Sequence, residues 1–143
     1  MKLIKIEQNC TKLTFPFVSH LLEKALEYTE GEYLLEDIYT ELLNGNLTLW
    51  LGCSPEEKKI IFAATTTILR YPRYNSLLIL HIGSENNKFI RHIEDFWKED
   101  TPLTDYIKQN NIKKIEILGR NGWLKALNKV GFKRSYTALT KKI

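Results

Sequence analysis

Cysteine is scarce in this chain, with two residues, Cys10 and Cys53, among 143. So few cannot build a disulfide scaffold, and neither has Cys or His partners at zinc-ligand spacing. Both are expected as free, buried thiols in a reducing compartment. Long apolar runs are missing too. The opening MKLIKIEQNC alternates apolar residues with Lys and Glu, so it reads as a strand and not as a signal peptide or membrane span, and no membrane partner is expected. Glycine is sparse, with seven residues, and neither a P-loop nor a nucleophile elbow occurs. His20, His81 and His92 show no metal-ligand spacing, so no metal is expected.

What is present is enough apolar material for one core. With 43% hydrophobic and 11% aromatic residues, a chain of this length buries a single domain spanning residues 1–143. No repeat, low-complexity tract or long linker divides it. The net charge of +4 is unevenly placed. From Asp105 onward ten Lys and Arg stand against two acidic residues, so this part carries +8 and the rest −4. Such a basic third suits an anionic partner or a solvated face. It contains no recognised nucleic-acid motif, so nucleic acid is not the expected partner.

Hydrophobic periodicity orders the chain. Val18, Leu21, Leu22, Ala25 and Leu26 recur at the spacing of one helical face, and Leu34, Leu35, Ile38, Leu42 and Leu43 repeat it after Gly31. Asn44-Gly45-Asn46 supplies the residues that end helices. The period then changes. Leu47–Leu51, Ile60–Leu69 and Leu77–Ile82 are β-branched or apolar runs joined by polar turns, which predicts an antiparallel meander. Leu77–Ile82 is almost continuously apolar, so it belongs mid-sheet. Phe89, Ile90, Ile93, Phe96 and Trp97 show helical spacing, and Thr101-Pro102 restarts a helix. Ile112–Leu118 reads as a strand, Asn121 as the cap of a short helix ending near Gly131, and Lys133–Thr140 as a closing strand. The resulting fold class is α/β (α+β), a mixed, mainly antiparallel sheet with helices on both faces, in the order β-α-α-β-β-β-α-β-α-β.

That order resembles the GNAT N-acetyltransferase fold over nearly the whole chain. Asn46-Leu-Thr-Leu-Trp-Leu-Gly52, the run Ala63–Pro72, and Gly119-Arg120-Asn121-Gly122-Trp123 with Gly131-Phe132 resemble divergent GNAT-like proteins of tailed bacteriophages. The resemblance implies acetyl transfer from acetyl-CoA to an amine, either a protein or a small molecule. It also implies a cytoplasmic setting: the host cytoplasm, or the virion for a phage protein. The pyrophosphate of the cofactor would sit in the loop after the fourth strand, on Ile82, Gly83, Ser84, Asn86, Asn87 and Lys88. That loop has one glycine where the family carries a Gly-x-Gly or Gly-x-Ala pair, and a Glu at position 85. The family's proton-donating Tyr is replaced by Leu127, whose aliphatic side chain has no proton to give.

Other residues stand out on chemical grounds. His81 lies late in an apolar strand, near where the two halves of such a sheet would splay, and as a His poised near neutral pH it is expected to take an ammonium proton directly or through water. Tyr136 and Tyr106 are the alternative proton donors. Arg120, at a strand end, is suited to binding carboxylate or phosphate, and Trp123 to stacking on a planar ligand or on the guanidinium, which adds both to the candidate cofactor site. Arg70-Tyr71-Pro72-Arg73-Tyr74 is a basic, aromatic turn of the kind that contacts partners. Two functions therefore compete. One is an N-acetyltransferase with a degenerate cofactor loop, and the other a non-catalytic GNAT-fold accessory or virion-associated module with a virion or host protein as partner.

Overall fold

The computed structural model describes residues 1–98 and 100–143. Its sheet has five strands in sequential order: β1 (Lys2–Ile6), β2 (Thr48–Ser54), β3 (Lys59–Arg70), β4 (Asn75–Ser84) and β5 (Ile112–Ile117). The first four pair antiparallel, and β5 joins β4 in parallel. Helices α1 (Thr11–Leu26) and α2 (Leu35–Leu43) follow β1, and α3 (Lys88–Arg91), α4 (Ile93–Phe96) and α5 (Pro102–Gln109) link β4 to β5. A 3-10 turn at Asn121–Trp123 leads into α6 (Leu124–Asn128).

Strand alternation sends side chains to two cores. Val18, Leu21, Leu22, Ile38 and Leu42 of the helical pair pack on Leu49, Leu51 and Ala63 from one face. On the other face Trp50, Phe62, Ala64, Leu77 and Ile79 meet Phe89, Ile93, Phe96 and Leu103. Phe62, Phe89 and Phe96 form an aromatic cluster with centroids 5.2–5.7 Å apart, in the edge-on and tilted arrangements that ring quadrupoles favour. The Trp50 indole N–H donates to Thr66 Oγ1 at 2.9 Å, so this buried polar group is satisfied. β4 lies between β3 and β5, as its continuous apolar run predicts.

Local signals decide the helix starts. The Asp37 carboxylate accepts from the Leu34 N–H at 2.8 Å ahead of α2. Thr101 caps α5 by accepting from the Thr104 N–H at 3.3 Å, with Pro102 in the first turn.

Several expectations are corrected. The closing strand over Lys133–Thr140 does not form, and residues 132–143 have no regular structure. Tyr136 and Ala138 would fall on one face of such a strand and Leu139 on the other. No register buries an apolar stripe, and Tyr136 and Leu139 are 84% and 91% exposed. Asn121 caps nothing. It begins the 3-10 turn, and its side-chain oxygen accepts from Arg134 at 3.2 Å. Cys10 is exposed and Cys53 partly buried, both as free thiols. The Tyr71–Tyr74 turn is tied back onto the sheet. The Tyr71 hydroxyl donates to Glu116 at 3.0 Å, and the Lys114 ammonium lies 5.2 Å from both ring centroids.

One backbone crossing fixes the helical layer on the sheet. A Cβ built on Gly83 would lie 1.7 Å from the Leu21 carbonyl oxygen, so α1 touches β4 backbone to backbone there. Gly83→Ala must push α1 off the strand, and it is expected to destabilise by about 3 kcal/mol in urea unfolding. Gly122→Ala, with open space around it, is expected to change stability by less than about 0.5 kcal/mol. A Gly83→Ala loss no larger than that of Gly122→Ala would contradict the crossing.

Candidate active site

The site begins at a register fault. Thr65 pairs with His81, but Thr66 pairs with Ile79, so Leu80 is an extra residue in β4. A bulge of this kind bends the strand carrying the extra residue and strengthens its twist. β5 keeps pace only as far as Ile79, which pairs with Ile117, and the Leu118 N–H reaches the Ile79 carbonyl at 3.4 Å. From Leu80 to Ser84 β4 continues with β3 alone. The two parallel strands thus splay apart, and the β5-facing backbone groups of that stretch have no strand partner.

A cleft of about 1400 Å3 opens at the splay. Leu80, His81 and Ile82 line one side, Ile117 to Arg120 and Trp123 another, and Tyr28, Glu30, Glu32 and Tyr33 its α1–α2 side, with Tyr136 from the C-terminal segment. The structure therefore brings together His81, Ile82, Arg120, Trp123 and Tyr136. Gly83, Ser84, Asn86, Asn87 and Lys88 lie outside this lining. Tyr106 is on the opposite face, edge-on to Trp50 at 5.3 Å.

His81 is 3% exposed. Its Nδ1 shares a 2.6 Å hydrogen bond with Thr65 Oγ1, in a direction set by the imidazole tautomer, and the Tyr33 ring stands edge-on at 4.9 Å. Burial opposes the charged form and pulls its pKa down to about 4, against the opposing attraction of the Glu32 carboxylate. His81 is thus neutral at physiological pH and a weak base, and the expectation of a histidine poised near neutral pH is corrected by its burial.

The loop after β4 is largely self-satisfied. Asn86 and Asn87 occupy left-handed backbone conformations, with φ of 51° and 58°, which Asn tolerates better than most residues. The Phe89 N–H donates to Ser84 Oγ at 3.3 Å, and the Lys88 N–H to the Glu85 carbonyl at 3.0 Å. Ser84 is therefore the cap, and Asn87 caps through no side-chain bond. The Lys88 ammonium lies 3.3 Å from Glu57, and Glu85 lies 3.8 Å from His20. As for the family's tyrosine position, Leu127 is buried in the core.

Arg120 and Trp123 form the other end of the cleft. A Cβ on Gly119 would lie 2.8 Å from the Trp123 ring, so the glycine lets the indole fold back over the end of β5. Trp123 packs on Phe89 at 5.7 Å, while the Arg120 guanidinium carbon lies 4.8 Å from the Trp123 ring centroid and 3.8 Å from that of Tyr28. Trp123 thus both anchors its turn and stacks on Arg120. Tyr28, Glu32, Tyr33 and Thr65 are site residues that periodicity does not single out. The one sequence signal for Tyr28, Glu32 and Tyr33 is the acidic, aromatic Tyr28-Thr-Glu-Gly-Glu-Tyr33 link between two helices, and Thr65 is one of the three threonines at 65–67 of β3. Among the described residues no group of three or more His, Cys, Asp or Glu is placed to hold a metal ion, and no helix is long and apolar enough to cross a membrane.

This architecture is the fold of the GNAT acetyltransferases: a mostly antiparallel five-stranded sheet with a parallel β4–β5 pair that splays at a bulge. Three solved structures show the likeness. A probable acetyltransferase superposes with a TM-score of 0.68 at 11% identity, covering 100% of this chain and 98% of its own. An aminoglycoside acetyltransferase from an uncultured soil metagenomic sample, solved with sisomicin, gives 0.67 at 13% identity over 99% and 95%. A predicted acetyltransferase from Clostridium acetobutylicum, solved with acetyl-CoA, gives 0.63 at 17% identity over 99% and 95%. No protein-family model and no curated protein sequence matches the chain, so the likeness is one of fold.

The environment of His81 makes a pH prediction. Its folded pKa, about 4, lies below the ordinary value of 6.5, so the unfolded chain binds the proton more tightly. The stabilisation is complete above pH 6.5 and is lost as pH falls toward 4. His81→Gln is expected to remove roughly 3 kcal/mol of this dependence. Urea unfolding of both proteins at pH 7 and pH 4 checks it, and parallel pH profiles would contradict it.

Proposed function

We propose that this protein is an acetyl-CoA-dependent N-acetyltransferase acting on an amine. The observation that carries the reading is the β4–β5 splay, which leaves the β5-facing backbone groups of Leu80 to Ser84 without a strand partner among the described residues, with Leu80, His81 and Ile82 lining the cleft. An amide-rich, extended ligand arm can complete such a strand edge by pairing with its N–H and C=O groups, as peptides do on sheet edges. The donor set thus fits the pantetheine arm of coenzyme A, which supplies an acetyl group activated as a thioester when bound.

The reading assigns the arm to the backbone at Ile82 and Gly83 and the phosphates to the side of Ser84, Asn86, Asn87 and Lys88. Lys88 provides positive charge there, shared with Glu57. The first N–H groups of α3 are already engaged within the loop, so phosphate binding rests on side chains more than on a backbone cradle.

An amine acceptor arrives as an ammonium ion and must lose a proton. The Glu30 and Glu32 carboxylates at the α1–α2 side of the cleft attract it. His81, held neutral against Thr65, orients a water that carries the proton outward. Tyr136, exposed and in the lining of the cleft, is the proton donor for the departing thiolate. Buried Leu127 cannot serve.

A second reading is favoured by one observation: the position where the family places its proton-donating tyrosine is filled by a core leucine. On it, the chain is a non-catalytic accessory or virion-associated protein of a tailed phage that keeps the sheet as a scaffold. One titration separates the two. Acetyl-CoA is expected to raise Tm, with about 3 kcal/mol of stabilisation at a hundredfold excess over Kd, and to lose its acetyl group to an added amine, read by mass spectrometry. An unchanged Tm at millimolar acetyl-CoA would select the scaffold.

A further inference from the structure

The Arg120 side chain is exposed but not loose. Tyr28, just beyond α1, and Trp123, just before α6, both reach it, at 3.8 and 4.8 Å from ring centroid to guanidinium carbon. Aromatic faces hold a guanidinium through its charge and its flat surface, and leave its N–H bonds free to point outward in the plane. Among the described residues, Arg120 joins no ion pair with a carboxylate. The cleft thus holds a positioned fork of donors that, among the described residues, no carboxylate approaches within ion-pair distance. A planar fork of this kind matches two oxygens of a carboxylate or phosphate, and holding it in place beforehand lowers the entropy lost on binding.

The place of Arg120 along α1 separates it from the loop assigned to the cofactor phosphates. His20 of α1 meets Glu85 of that loop, and the Leu21 carbonyl lies on Gly83, whereas Tyr28 meets Arg120. Six residues of helical rise from His20 to Leu26 put roughly 9 Å between the two, and Tyr28 lies beyond the helix end. His81 and Leu80 of the bulge line the cleft together with Arg120, and Glu30 and Glu32 stand on the same link as Tyr28. One end of the cleft therefore combines carboxylates suited to an ammonium with a cation suited to an oxyanion.

We infer that the acceptor is a small amine that also carries an oxyanion, a carboxylate or a phosphate, and that Arg120 is the residue that recognises it. This rests on the transferase reading for the role of acceptor, but not for the anion site itself. The specificity follows from charge. A neutral analogue leaves the fork unpaired and loses the charge-assisted bonds.

Matched probes test it by direct binding. Trp123 lies against Arg120, so indole fluorescence reports occupancy without turnover. Amino acids against their amides, and glucosamine 6-phosphate against glucosamine, are titrated into wild type, Arg120→Gln and Tyr28→Leu, and acetyl-CoA is titrated separately. Both substituted residues are exposed, and circular dichroism confirms folding. Wild type is expected to bind at least one acidic member about tenfold more tightly than its neutral partner. That preference is expected to disappear in Arg120→Gln and to shrink in Tyr28→Leu. Which pair responds tells carboxylate from phosphate. Equal binding of acidic and neutral partners, or no binding of any probe, overturns the inference. So does an Arg120→Gln variant that weakens acetyl-CoA and leaves the acidic preference intact, because Arg120 then serves the cofactor. A preserved preference without acetyl-CoA binding supports the anion site and removes the transferase reading.

Discussion

Beyond Ile79, β4 has no partner on its β5 side, and most of the cleft follows from that separation. The extra residue Leu80 bends the strand where pairing stops, and the parallel neighbour ends at Ile117 instead of following. The exposed edge is tolerable because β3 continues to pair with β4 as far as Ser84 and α1 covers the strand at Gly83. The sheet is thus held from β3 and from α1 while its β5 side opens. Had the strands stayed in register, hydrogen bonds of the ladder would fill the space that the cleft occupies.

The chemistry around the opening divides by element. The strand contributes a buried, neutral imidazole whose state is set by burial. The α1–α2 link contributes carboxylates and Tyr28, and the β5–α6 connection contributes Arg120 and Trp123. Each group is mounted by packing elsewhere: Trp123 on Phe89, Tyr33 within the α1–α2 core, Thr65 in the β3 ladder. This division explains how a chain with one glycine in the loop after β4 and a core leucine at position 127 still presents a formed cleft. The cleft is a property of strand register and helix docking, and those depend on core residues that the chain retains.

The helical pair, the meander and the central place of β4 were legible in the sequence because each rests on a local period or a local turn. Val18 to Leu26 shows its buried face directly, and Thr101-Pro102 shows its cap. The bulge at Leu80 was not legible, since it is a relation between β3 and β4 and alters no residue type in either. The Arg120–Tyr28 contact joins residues far apart in sequence, and the α1–α2 link has no periodicity to flag it. The closing strand failed for the opposite reason. Lys133–Thr140 has strand-like residues, but propensity without a buried face does not hold a strand against an open edge. Gly83 was legible as a glycine of consequence, and the visible cause is the carbonyl of Leu21.

The most direct measurement is an amide chemical-shift map of the isotope-labelled protein titrated with acetyl-CoA. If the splay is the cofactor cleft, resonances of Leu80 to Ser84 move together with those of Leu118 to Trp123, while β1 and the far ends of β2 and β3 stay in place. Shifts confined to the basic C-terminal segment, or no shifts at saturating acetyl-CoA, would contradict the account.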